Sequence, residues 1–127
     1  MSSKEIIYTK NAPEPVGPYS QAVVYNGLVY CSGQIAIHPE SGDLITESIQ
    51  VETRQVLTNL SAVLDAAGSS LKQVIKVSVF VADISQFDSI NEVYSEFFNE
   101  SKPARALVEV SKLPKEVSIE VEAVAAV

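Results

Sequence analysis

The sequence predicts a single α+β domain over residues 1–127, with a mixed sheet carrying two helices on one face and elements in the order ββαβαββ. Three observations carry this. Several short segments alternate apolar and polar residues with the period of two that a strand imposes. Two longer segments place their apolar residues at helical spacing. Pro, Gly and Asn punctuate the chain between them.

Residues 11–18, NAPEPVGP, form an irregular lead-in. After it, Asn26-Gly27 between AVVY and LVYC is a strong hairpin signal, because a two-residue type I′ turn needs positive φ at both central positions. That turn pairs Tyr25 with Leu28 and Val23 with Tyr30, and brings Ser32 opposite Gln21. The polar stretch 38–46 is a loop. Ile49, Val56, Leu57, Leu60, Val63, Leu64 and Ala67 predict a helix over about 47–67, with Gly68 as its C-terminal cap. IKVSVFVA, 75–82, reads as a strand. Phe87, Ile90, Tyr94, Phe97 and Phe98 place a second helix over about 85–99. Strands over 104–110 and 117–124 close the domain, joined by a turn at Leu113-Pro114. Several strands look apolar on both faces, and two helices cover one face only. The other face is therefore expected to be an interface between copies of the chain.

Composition bounds the function. The formal net charge is −7 with no cluster of Lys and Arg, which argues against binding a phosphate backbone. The single cysteine, Cys31, suits a reducing compartment, and one His with one Cys gives no metal-ligand spacing. No apolar run approaches a membrane span and no secretory signal is visible, so a cytoplasmic protein without cofactor, metal or membrane partner is expected.

In KPARALVEV, residues 102–110, the question is what Arg105 meets. A guanidinium cannot shed its charge, so a half-buried one should meet a carboxylate of its own chain or of a ligand. Pairing 104–110 against 117–123, with Ala106 beside Val121, places Arg105 on the uncovered face opposite Glu122 and diagonal to Glu120, and a two-residue slip places it opposite Glu120 instead. A structural ion pair and an anion site with a nearby base both fit that arrangement. Other candidates are similarly two-sided. Tyr19 is either a phenol in a cleft or a packing tyrosine. Gly33, inside Ser32-Gly33-Gln34, signals a bulge or a close approach to a ligand. Asn91 sits beside an apolar helical stripe and needs a partner. Cys31 reads as a small buried thiol and His38 as a solvated loop residue.

A set of motifs sharpens the reading. Gly17-Pro18-Tyr19-Ser20-Gln21-Ala22, Ser32-Gly33-Gln34-Ile35, Asn91 with Tyr94, Phe97 and Phe98, Pro103-Ala104-Arg105, Val108-Glu109-Val110, Leu113-Pro114 and Ile119-Glu120-Val121-Glu122-Ala123 occur together and in order. Over nearly its full length the chain thereby resembles the Rid (RidA/YjgF) family, the reactive-intermediate deaminases. The resemblance implies a chorismate-mutase-like fold, a homotrimer with active sites between subunits, and 2-iminobutanoate/2-iminopropanoate deaminase activity on small 2-imino acids. It further implies that Arg105 holds the substrate carboxylate and Glu120 serves the attacking water. Tyr19, Ser32 and Asn91 would line the cleft, and the Gly33 and Leu107 backbones would approach the substrate. Leu107 stands where many members carry Cys, so no mechanism can run through a thiol there. Val121 replaces the commoner Ile or Met. An endoribonuclease or translation inhibitor, and a non-catalytic trimer binding small carboxylates, are the alternatives.

Overall fold

A computed structural model describes residues 3–127. Six strands, β1 (Glu5–Ile7), β2 (Ala22–Tyr25), β3 (Leu28–Gln34), β4 (Val74–Val81), β5 (Ala104–Glu109) and β6 (Ile119–Ala126), form one mixed sheet in the spatial order β1-β2-β3-β6-β4-β5. The β4–β5 pair is parallel and the other neighbours are antiparallel. Helix α1 (Ile49–Ala66) connects β3 to β4, and α2 (Phe87–Phe98) connects β4 to β5. These are the long crossovers that strands running the same way require.

The expected local signals are in place. Asn26 and Gly27 both have positive φ, and Tyr25 pairs with Leu28 and Val23 with Tyr30. The amide of Ser32 donates to the Gln21 carbonyl. Ser48 caps α1 by accepting from the Val51 amide, and Gly68 follows the helix with φ of +80°. The buried stripe of α1 packs with Ile90, Tyr94 and Phe98 of α2 onto one face of the sheet, where Val29, Cys31, Val77, Val79, Val81, Ile119, Val121, Ala123 and Ala125 form the core. On the uncovered face Tyr25, Tyr30 and Val108 are exposed.

Two expectations are corrected. The chain opens with an additional strand, β1, which pairs with β2; at three residues it is too short to show an alternation in the sequence. The larger correction concerns the end of the chain. β5 and β6 do not pair, because β4 lies between them. Consecutive strands are usually neighbours, but β4 (VIKVSVFV) carries enough branched apolar residues to be a central strand and takes β6 on one side and β5 on the other. Parity follows from this. Arg105 sits beside Val77, and Val79 is flanked by Leu107 and Val121, so Arg105 and Leu107 face the helices. Glu120 and Glu122, beside Phe80 and Ser78, face the other way. The row Ala104, Ala106 and Val108, which the expected pairing of 104–110 with 117–123 sets on the face opposite Arg105 and under the helices, is exposed in the chain.

Three buried polar side chains fix the segments around the sheet. Asn59, with no exposed surface, donates to the carbonyls of Ile35 and Ile37 and so holds the chain leaving β3. Glu52 accepts from the Ser118 amide at 2.7 Å and ties α1 to the start of β6. Gln21 accepts from the Thr9 amide and donates to the carbonyls of Thr9 and Pro13, pinning the proline-rich lead-in against β2.

Candidate functional site

The lead-in, the end of β3 and the start of β6 enclose a cavity of about 390 Å³. Pro13, Glu14 and Val16 form one wall, Ser32, Gly33 and Ile35 another, and Tyr19, Lys115 and Glu120 complete it. Tyr19 is half exposed, and its hydroxyl accepts from the Val16 amide. The Ser32 hydroxyl donates to the Ser20 carbonyl at 2.6 Å, which uses its proton and leaves its lone pairs for another donor. β3 breaks register between Cys31 and Gln34, and Gly33 lies in that irregularity. The reason for glycine is steric. A Cβ at position 33 would overlap the Glu120 carboxylate and come within 2.8 Å of its Cδ. Glu120 therefore lies directly on the backbone of β3. Burial, and secondarily the charge of Glu122, push its pKa above the usual carboxylate value. A carboxylate of raised pKa is a stronger base once ionised.

Arg105 lies on the other side of the sheet, in a cavity of about 300 Å³ lined by Asn91, Tyr94, Ser95, Lys102 and Pro103. The Tyr94 ring lies beneath its guanidinium at 4.5 Å, and the Phe87 ring lies at 5.7 Å. One guanidinium nitrogen, Nη1, donates to Asn91 Oδ1 at 3.0 Å. No carboxylate pairs with it: among the described residues the ion pair is Arg54–Glu96, an exposed link between the helices. Aromatic faces stabilise a cation by about 0.5–2 kcal/mol without consuming its N–H donors. Most of the five donors of this fork are left for an anion.

The predicted site residues thus fall into two groups. Tyr19, Ser32, Gly33 and Glu120 line the first cavity; Arg105 and Asn91 line the second. Leu107 is half buried on β5 and packs against the core. The expected neighbours Arg105 and Glu122 are on opposite faces, so the rise in the pKa of Glu120 meets no opposing guanidinium within the chain. Gln21 and Lys115 were not anticipated from the sequence. A polar residue just ahead of the buried row of β2 was the available signal for Gln21. Lys115 and Glu116 both have positive φ, 55° and 56°, which no residue type announces. Cys31 is buried with its pKa pushed up to about 12 by desolvation, an inert thiol. His38 Nδ1 accepts from the amides of Glu40 and Ser41. Among the described residues no group of three or more His, Cys, Asp or Glu could hold a metal ion, and no helix is long and apolar enough to cross a membrane.

A six-stranded mixed sheet with two helices on one face, and a lone guanidinium at its β5 edge, define a class that can be compared with known proteins. The family model described as Endoribonuclease L-PSP matches residues 9–127. The chain belongs to that family, the Rid (YjgF) family. A RutC family protein of Pyrococcus horikoshii is 54% identical over 96% of this chain and 97% of its own. A human protein named 2-iminobutanoate/2-iminopropanoate deaminase is 43% identical over 96% of this chain and 89% of its own. The crystal structure of E. coli TdcF with bound serine is similar at a TM-score of 0.92 and 41% identity, covering 97% of this chain and 98% of the other.

Two outcomes follow from the first cavity. Gly33→Ala should keep its melting temperature within a few degrees, since only the end of a flexible side chain must move, while a crystal structure shows the Glu120 carboxylate displaced; an unmoved carboxylate would refute the steric account. Glu122→Gln removes a like charge, so the titration of Glu120, followed by carboxyl NMR, should shift to lower pH. An unchanged midpoint would mean that Glu122 exerts no influence.

Proposed function

We propose that this protein hydrolyses small 2-imino acids, 2-iminobutanoate and 2-iminopropanoate, to 2-oxo acids and ammonia. The observation that carries the reading is Arg105: a permanent cation, half buried, oriented by two rings and an amide, and left without a carboxylate partner among the described residues. A planar fork of this kind fits the carboxylate of a 2-imino acid. Deaminase-named relatives at 43% identity support the same class of reaction.

Neither cavity holds both the cation and the base. The reading therefore joins the Arg105 cavity of one copy to the Glu120 cavity of another, in a homotrimer whose contacts use the uncovered sheet face and the exposed β5 row. Arg105 binds the carboxylate and fixes the C=N carbon, an orientation effect. Glu120 takes a proton from water as the water oxygen attacks that carbon, and the proton passes to nitrogen, giving a carbinolamine. Glu120 then carries the proton of the new hydroxyl to the same nitrogen, the C–N bond breaks as C=O forms, ammonia leaves and the 2-oxo acid remains. Tyr19 lines the cleft, and Ser32 can accept from the substrate N–H because its own proton is engaged. Asn91 holds the guanidinium. The Gly33 and Leu107 backbones border the substrate. Such imines hydrolyse unaided, so acid–base help of about 10²–10⁴-fold is sufficient and no cofactor is invoked. A reducing cytoplasm suits the single buried thiol.

The description of the matching family model raises ribonuclease activity as a second reading. The net charge of −7 and a His38 whose Nδ1 serves its own loop weigh against it. A trimer that binds small carboxylates without turnover is the third.

The test generates 2-iminobutanoate with a threonine dehydratase and traps what remains with semicarbazide. Wild type should suppress the trapped product, and Arg105→Ala should lose that suppression by at least two orders of magnitude in kcat/KM. Equal activity of the two proteins removes Arg105 from the reaction. Ligand binding without suppression favours the idle trimer, and RNA cleavage lost in Arg105→Ala favours the second reading.

A further inference from the structure

An unexplained atom lies behind the wall of the second cavity. Tyr94 is 8% exposed, and its hydroxyl is buried with no hydrogen-bond acceptor among the described residues; the Arg105 guanidinium beside it can only donate. A buried hydroxyl left unmade costs about 1–3 kcal/mol, which Phe at the same position would avoid. Such groups are rare, and each needs a reason. The ring alone cannot be the reason, because Phe would stack on Phe98 and on the guanidinium equally well.

The location supplies one. The Tyr94 ring is the surface on which the Arg105 guanidinium rests, at 4.5 Å, and both side chains line the same cavity with Asn91 and Lys102. Phenol and guanidinium belong to different elements, α2 and β5, yet meet in the wall of one cavity. Desolvation raises the phenol pKa more than the charge of Arg105 and a hydrogen bond from it lower it, so the group remains protonated and is a donor.

We propose that the Tyr94 hydroxyl is a substrate-binding donor that completes, with Arg105, the recognition of the carboxylate of a 2-imino or 2-oxo acid. This rests on the reading of Arg105 given above. The anion enters against the guanidinium, and a small shift of that side chain uncovers the hydroxyl, which then acquires an acceptor in the ligand carboxylate. A stability cost in the free protein becomes affinity in the complex.

The experiment compares wild type, Tyr94→Phe and Arg105→Ala by calorimetric titration with 2-oxobutanoate and by thermal unfolding. Tyr94→Phe keeps the ring and removes only the oxygen. It should unfold at the same temperature as wild type or higher, yet bind on the order of tenfold more weakly. Equal affinity of Tyr94→Phe and wild type, with binding lost in Arg105→Ala, overturns the role of Tyr94 and leaves that of Arg105 intact. A clear fall in melting temperature in Tyr94→Phe also overturns it, because the hydroxyl would then have a structural partner. No binding by wild type sinks both.

Discussion

A guanidinium that cannot lose its proton must be compensated wherever a fold half-buries it, and here the compensation is aromatic and amide rather than anionic. That choice governs the rest. A neighbouring carboxylate would have satisfied Arg105 and closed the fork. Two rings and an amide oxygen stabilise the charge, set the plane of the fork and leave most of its donors unengaged. The chain holds sixteen acidic residues to nine basic ones. An arginine that avoids all of them is therefore a product of its placement and not of a shortage of partners.

Placement is a matter of topology. Because β4 is inserted between β6 and β5, the parity of β5 turns Arg105 toward α2, while that of β6 turns Glu120 toward β3 and the lead-in. The sheet itself separates the cation from the base. A salt bridge between them within one chain is thereby prevented, and Glu120 settles on the bare backbone of Gly33 with its pKa raised by burial. The two groups can act on one small molecule when different copies of the chain bring opposite faces together, which connects the exposed apolar rows of the sheet to the proposed chemistry.

Much of this was legible in the sequence. The Asn26-Gly27 hairpin, its register, both helices and the cap at Gly68 followed from local chemistry, because turns, caps and amphipathic stripes are set by residues close together in the chain. The residue types of the site were also legible through the motifs that carry them. What could not be read was strand order. The alternation in 104–110 and in 117–124 is compatible with a hairpin as well as with two strands flanking a third, and the difference reverses which face Arg105 occupies. Packing partners of Arg105 were hidden for the same reason: Phe87 and Tyr94 read as core stripe of α2, and only the parallel β4–β5 pairing brings the guanidinium onto their rings.

The central claim is that Arg105 is kept without a protein carboxylate so that it can take one from a metabolite. A crystal structure of the assembled protein soaked in 2-oxobutanoate examines this directly. The ligand carboxylate is expected on the Arg105 fork, with its keto carbon facing Glu120 of an adjoining copy. A guanidinium locked to an acidic side chain of a neighbour, with no ligand bound, would contradict it.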